Sequence, residues 1–406
     1  MTLCPAQRRG ALRPKFGLLQ LLLIVAGSVF PGMGQRGGDR AWVGTWASAP
    51  VAGKASPALA AQTLRQIVRT SVGGSEVRIR VSNLFGAQPL RIEDVHLAIA
   101  STGGAIVAGT DHTARFAHRT FAIVAPGSSL VSDPIPMKLP ALTEVAVTFY
   151  LPEDPGPITW HPSAHGTNYW APGDVSGRIE LPHAATIGSY YFLTNVDVQG
   201  KELTGAVVTL GASITEGYKA RDEANDWWPE VLAQRLASQG IRVGVLNEGI
   251  SGNRLLQAGA GASAESRFER DVVQQPGVRW VIFADDPIND LGSTRPPPTL
   301  PALVEGTEQL ITAAHKNHIR FLCSTLTPFE GADYWTPAEE VTRERFNDFI
   351  RGKSSGCDAV IDQDEITHDS AHPTRFLPAY DSGDHLHPND AGHHAMADGI
   401  DLSLFR

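Results

Sequence analysis

Near residue 203 the texture of the chain changes, and that change limits what it can fold into. Before it, Glu76-Val77-Arg78-Ile79-Arg80-Val81-Ser82 alternates apolar and polar residues one by one, as a half-buried strand does. Residues 95–100 and 144–150 read the same way. Gly and Pro punctuate the spaces between, at Gly73-Gly74, Gly86, Gly103-Gly104, Pro126-Gly127 and within 152–157. Short strands with regular turn signals predict a β-sandwich over residues 42–195. After residue 203, apolar strand-like runs at 206–210, 243–247, 280–284, 320–326 and 359–362 alternate with helical patterns. The helices are expected at 228–238, 303–317, 338–351 and 391–402. Asp226 is a candidate cap for the first, and Asn389 or Asp390 for the last. Alternating strands and helices predict a parallel sheet covered on both faces over residues 203–406.

In such folds the ligand crevice lies beyond the carboxyl ends of the strands. The candidate chemistry falls there. Ser213 follows the first expected strand, Gly252 the second and Asn289 the third, while Asp384 and His387 come after the fifth. Asp384 stands three positions before His387 in Asp-His-Leu-His-Pro, a carboxylate and an imidazole that need only a nucleophile. A serine hydroxyl attacks poorly until a base removes its proton. Neutral imidazole can do that near pH 7. A carboxylate on the other ring nitrogen fixes the tautomer and stabilises the imidazolium.

These blocks together resemble the SGNH hydrolase superfamily, also called the GDSL esterases and lipases. The resemblance covers residues 203–406. Its blocks stand here as Gly-Ala-Ser-Ile-Thr (211–215), Asn-Glu-Gly-Ile-Ser-Gly-Asn-Arg (247–254), Pro-Ile-Asn-Asp (287–290) and Asp-His-Leu-His-Pro (384–388). It implies a flavodoxin-like three-layer α/β/α domain. It also implies Ser213 as nucleophile, His387 as base and Asp384 as its orienter. The oxyanion hole would be the N–H groups of Ser213 and Gly252 with the side-chain amide of Asn289. No metal or cofactor is implied. Trp-Val-Gly-Thr-Trp-Ala-Ser-Ala-Pro (42–50) resembles the opening of secreted members with an N-terminal β-sandwich.

Two departures bear on the expected rate. Ala212 replaces the family's usual Asp beside the nucleophile, which removes a hydrogen bond that helps hold the nucleophile loop. Pro287 replaces a Gly, next to two acids, Asp285 and Asp286, that are costly to bury unless paired. Either change threatens the aim of Asn289, so the expectation is an intact enzyme open to slowing. Asp290 is expected only to cap a helix. A metal site on Asp384, His385 and His387 would leave Ser213 unexplained. His385, His393 and His394 read as surface or wall residues. Trp46, Trp160, Tyr169 and Trp170 suit core packing better than sugar stacking. Residues 161–169, from His161 through His165, read as a loop reaching the catalytic edge.

Composition narrows the setting. The chain is 42 % hydrophobic and 19 % charged, with formal net charge −9 and pI about 5.9. No basic patch suggests nucleic acid. Arg8, Arg9, Arg13 and Lys15 precede an apolar run over 16–30, with small residues at Gly32 and Gly34. This is the pattern of a signal peptide over residues 1–34, too short for a span of about 20 residues. Its removal takes four positive charges and leaves −13 (−9 minus 4). The expected location is secreted or periplasmic, with no stable membrane insertion of the mature chain. There Cys323 and Cys357 can form a disulfide, and two buried free thiols fit equally well. The function expected is a serine esterase acting on short acyl or acetyl esters, small or glycan-linked. The alternatives are a lysophospholipase-like or lipase-like esterase, or a catalytically impaired carbohydrate-binding protein.

Overall fold

The five strands that carry the candidate residues form a fully parallel sheet. They are Gly205–Gly211, Val243–Gly249, Val278–Phe283, Arg320–Ser324 and Ala359–Ile361. Their spatial order is second, first, third, fourth, fifth, the flavodoxin-like arrangement. The chain therefore reverses direction across the sheet between the first and third strands. Right-handed crossovers then send the helices to opposite faces. Trp228–Ser238 packs with Asp390–Asp398, and Leu300–Lys316 with Pro337–Arg351. The first strand is buried at every position, as a central strand covered on both faces must be.

The structure, a computed structural model, describes residues 41–406. The expected signal peptide and Cys4 lie outside the described residues. The β-rich part is a sandwich. One antiparallel sheet is built on Val43–Ala47, Leu193–Gln199 and Gly74–Ser82, and the other on Gln62–Arg69, Glu144–Leu151 and Leu90–Ile99. In Gly74–Ser82 the side chains of Val77, Ile79 and Val81 are buried while Glu76, Arg78 and Arg80 are half-buried, as the alternation requires.

The sandwich and the parallel sheet are not merely tethered. Arg40–Arg406 form one compact unit, and one apolar cluster runs through both parts from Val43 to Phe405. Val43–Ala47 lies along Val243–Gly249, the edge strand of the parallel sheet. Gly44 N–H donates to Pro276 O at 2.8 Å, and Val245 N–H donates to Ser71 Oγ at 2.9 Å. The sandwich thus supplies an acceptor to the edge strand at Val245, and the α/β part supplies one to the sandwich at Gly44.

Of the two helix caps expected from the sequence, one forms. Asn389 caps Asp390–Asp398 by accepting from Gly392 N at 3.0 Å. Asp226 does not cap Trp228–Ser238, because its carboxylate is taken by Arg221 at 2.7 Å and His394 at 3.3 Å. Trp46 packs edge-on against Tyr190 at 4.9 Å, in the core. Cys323 and Cys357 are disulfide-bonded across 34 residues. In the loop-entropy account a closure of that length stabilises the fold by about 4 kcal/mol.

Candidate active site

The first strand ends at Gly211, and Ser213–Glu216 forms a single helical turn closed by Gly217 in the left-handed region. Ser213 stands at the start of that turn, 8 % exposed. With Ala212 before it, the turn lacks the local carboxylate expected there. A distant one replaces it. Asp285, at the end of the third strand, accepts from Ala212 N at 3.1 Å, Ile214 N at 2.9 Å and Thr215 Oγ1 at 2.5 Å. The Ser213 loop is therefore held after all, from across the sheet.

Ser213 Oγ lies 2.9 Å from His387 Nε2. His387 Nδ1 lies 2.9 Å from Asp384 Oδ2. A carboxylate only accepts, so Nδ1 carries the proton and Nε2 presents its lone pair to the serine hydroxyl. Burial works against the Asp384 charge. It is outweighed by the N–H and ring of His387 and the N–H of Leu386, which hold the carboxyl down to about 2. Asp384 is thus ionised wherever the imidazole can act as a base. Tyr218 packs edge-on against His387 at 4.7 Å and is 44 % exposed, a wall at the mouth of the site.

The second and third loops meet each other, and the second also meets the Ser213 turn at Glu216. Gly252 has φ +77°, a left-handed value that favours glycine. Among the described residues, neither its N–H nor that of Ser213 finds a partner. Asn289 lies inside the helix Asp286–Ser293. Its Nδ2 donates to Asn253 O at 2.9 Å, and its Oδ1 accepts from Tyr334 O–H at 3.2 Å. Those bonds fix which way the amide faces and leave one Nδ2 hydrogen free. Tyr334 comes from the loop after the fourth strand and lies over Gly292, where a Cβ would stand 2.0 Å from the ring. Tyr334 was not legible in the sequence, because nothing local links it to Asn289.

Pro287 does not break the helix that carries Asn289. It occupies the first turn of its helix, where the missing N–H has no intrahelical partner to lose. Asp290 caps no helix, contrary to the expectation: it lies inside Asp286–Ser293 and accepts from Leu255 N at 2.5 Å and Leu256 N at 3.1 Å, tying the third block to the residues just after the second. Asp286 accepts from Asn253 Nδ2 at 2.9 Å and faces Arg267 at 3.7 Å. Both adjacent acids are therefore paired.

Burial pushes the Asp286 carboxyl up to about 7, more than Arg267 offsets, and Asp285 adds to the rise. A carboxyl raised on folding binds a proton that the unfolded chain has already released. Its contribution to stability therefore falls as pH rises from about 4 to about 7. Asp286→Asn keeps the shape without the ionisation. Its melting temperature relative to the parent is expected to rise between pH 4.5 and 7.5. A pH-independent difference would contradict this.

The other histidines separate. His385 Nδ1 pairs with Asp381 at 2.5 Å and turns away from His387. His394 is exposed, whereas His393 is fully buried and held neutral by burial, down to about 3. Its position in the core corrects the expectation of a surface or wall residue. Among the described residues, no group of three His, Cys, Asp or Glu converges as metal ligands do.

The description of the GDSL-like lipase/acylhydrolase family matches residues 209–395. This stretch is a GDSL-like lipase/acylhydrolase domain. The domain is a hydrolase domain of the SGNH type, and the match spans all four sequence blocks. No curated protein matches the chain. Among solved structures, a protein of the G-D-S-L lipolytic family from Desulfitobacterium hafniense is 23 % identical over 48 % of this chain and 97 % of its own, with a TM-score of 0.38. A GDSL-like lipase from Bacteroides thetaiotaomicron is 17 % identical over 50 % and 88 %, TM-score 0.37. A variant acetyl xylan esterase from Geobacillus stearothermophilus is 20 % identical over 48 % and 91 %, TM-score 0.37. Among the described residues, no helix is long and apolar enough to cross a membrane.

Proposed function

We propose that this acylhydrolase is a serine esterase acting outside the cytoplasm on short acyl esters, acetyl esters of carbohydrates foremost. The observation that carries the reading is the unbroken hydrogen-bond chain Asp384–His387–Ser213. Ser213 Oγ attacks the ester carbonyl as His387 Nε2 takes its proton. The carbonyl oxygen becomes an oxyanion, met by the N–H groups of Ser213 and Gly252 and by Asn289 Nδ2. Such donors stabilise the transition state by about 3–4 kcal/mol each. His387 then returns the proton to the departing alcohol, leaving an acyl-serine. Water repeats the sequence to release the acid. Asp384 stays ionised throughout and stabilises the imidazolium.

Export is supported by the charged and apolar N-terminal pattern and by the Cys323–Cys357 disulfide. The substrate class is supported by the rim. The loop after Gly252 carries Arg254, held by Ser293 at 3.0 Å. Tyr218 offers a half-exposed aromatic face. Hydrogen-bonding groups and an aromatic face suit a hydroxylated alcohol better than a long acyl chain. A hydrolysis screen of acetylated glycans, short-chain p-nitrophenyl esters and lysophospholipids tests this. Highest kcat/KM is expected on acetylated glycans. A preference for lysophospholipids would overturn the substrate class and leave the acyl-serine route standing.

A further inference from the structure

The sandwich reaches the site through one buried carboxylate. Glu216 ends the helical turn that begins at Ser213 and is 4 % exposed. Its Oε1 accepts from Ser251 N at 3.1 Å and lies 3.1 Å from His161 Nε2. Its Oε2 accepts from Ser251 Oγ and lies 3.9 Å from His165 Nε2. His161 belongs to the sandwich strand Pro157–His161, and its Nδ1 lies 2.8 Å from Ala49 O. A carbonyl oxygen only accepts, so that Nδ1 carries a hydrogen. The other ring nitrogen then faces a carboxylate, and the contact is attractive only with a proton between the two.

Burial opposes charge on Glu216. Contacts from His161 and Ser251, with the more distant His165 imidazole, more than offset it and hold the carboxyl far below the usual range. The other groups around this centre belong to His165: Asp222 lies 3.4 Å from its Nδ1 and Ser163 Oγ 3.2 Å from its Nε2. Ser251 immediately precedes Gly252. A chain of contacts therefore runs from His161 through Glu216 and Ser251 to a proposed oxyanion donor, with the nucleophile turn attached at its middle.

We propose that His161 is a positioning residue for ester hydrolysis, holding the Ser251–Gly252 loop through Glu216, so that the sandwich forms part of the catalytic scaffold. The inference rests on the reading that Ser213 attacks and Gly252 N–H meets the oxyanion. Two substitutions separate the ends of the imidazole. His161→Asn keeps a donor toward Ala49 O and loses the one toward Glu216. His161→Gln does the reverse.

The test is steady-state hydrolysis of p-nitrophenyl acetate by the full chain, with thermal melts confirming folding. His161→Asn is expected to lower kcat about ten-fold with KM within about two-fold, a part of what losing one oxyanion donor costs. His161→Gln is expected to keep most of kcat. Ser251→Ala should match His161→Asn, and combining the two should lower kcat no further than about two-fold, because one chain is cut twice. Folded His161→Asn with kcat within two-fold of the parent overturns the proposal, as does a double variant whose losses multiply. Equal damage from Asn and Gln overturns it as well, since that marks a merely structural anchor. Should His161→Asn not be recovered folded, Ser251→Ala decides alone, and near-parental kcat there is fatal. Ser213→Ala runs alongside: if it keeps turnover, the reading of the site fails, whereas an inactive Ser213→Ala beside a fully active His161→Asn sinks only this inference.

Discussion

Ser213→Ala is expected to lower kcat on an activated acetyl ester by at least about 10⁴-fold, the scale of losing a serine nucleophile from a working triad. The fold should be nearly untouched. Among the described residues the Ser213 hydroxyl bonds only to His387 Nε2, and losing one such bond costs about 1 kcal/mol. KM should change little, because the hydroxyl acts in the transition state and adds little to ground-state binding. His387→Ala should cost a comparable factor. The two losses should not multiply, since nucleophile and base act as one unit. A fluorophosphonate probe should label the parent and leave Ser213→Ala unlabelled. Folded Ser213→Ala that still labels, or that retains a tenth of the parental rate, would remove Ser213 from the mechanism.

The second large effect is expected at a residue that touches no substrate. Asp285→Ala leaves two buried backbone N–H groups and the Thr215 hydroxyl without their acceptor. Orphaned buried donors cost about 1–3 kcal/mol each, so a loss of about 3 kcal/mol of stability or more should appear in denaturant unfolding. Activity should fall further than stability alone explains. Those three donors set the backbone on both sides of Ser213, and a shift of about 1 Å at a reacting atom costs about 10²-fold. The loss should fall on kcat. Asp285→Asn keeps one acceptor oxygen but turns an amide N–H₂ toward a donor, so it should lie between the parent and Ala. Restoring the family's usual residue with Ala212→Asp should not help. Position 212 is fully buried and its N–H already bonds to Asp285, so a second carboxylate would meet like charge out of water. Folded Asp285→Ala with kcat within about three-fold of the parent would show that the turn holds itself.

Some features were legible because their causes are local. The alternation at Glu76–Ser82 follows from the two-residue pleat, and every parallel strand appears where an apolar run lies. The helix Trp228–Ser238 begins and ends where its pattern does. The Asp384–His387 contact spans only three residues, so spacing alone brought it within reach. Asp226 is the instructive miss. It has the chemistry of a cap, but Arg221 and His394 compete for its carboxylate, and the rival at residue 394 arrives only through folding.

Local sequence dictates the order of strands and helices, the four blocks beyond strand ends, and the residue types able to perform acyl transfer. Periodicity and short-range spacing carry that information, since neighbours in the chain are neighbours in space. How the site is held depends on long-range packing. Asp285 reaches back 70 residues and more to the Ser213 turn. Tyr334 reaches 45 residues to orient Asn289. His161 comes from another sheet to Glu216. These are hydrogen bonds among groups that burial has removed from water, where an unpaired donor or charge is costly. Which partner satisfies each group depends on the packing of distant segments, and no local pattern in the chain encodes it.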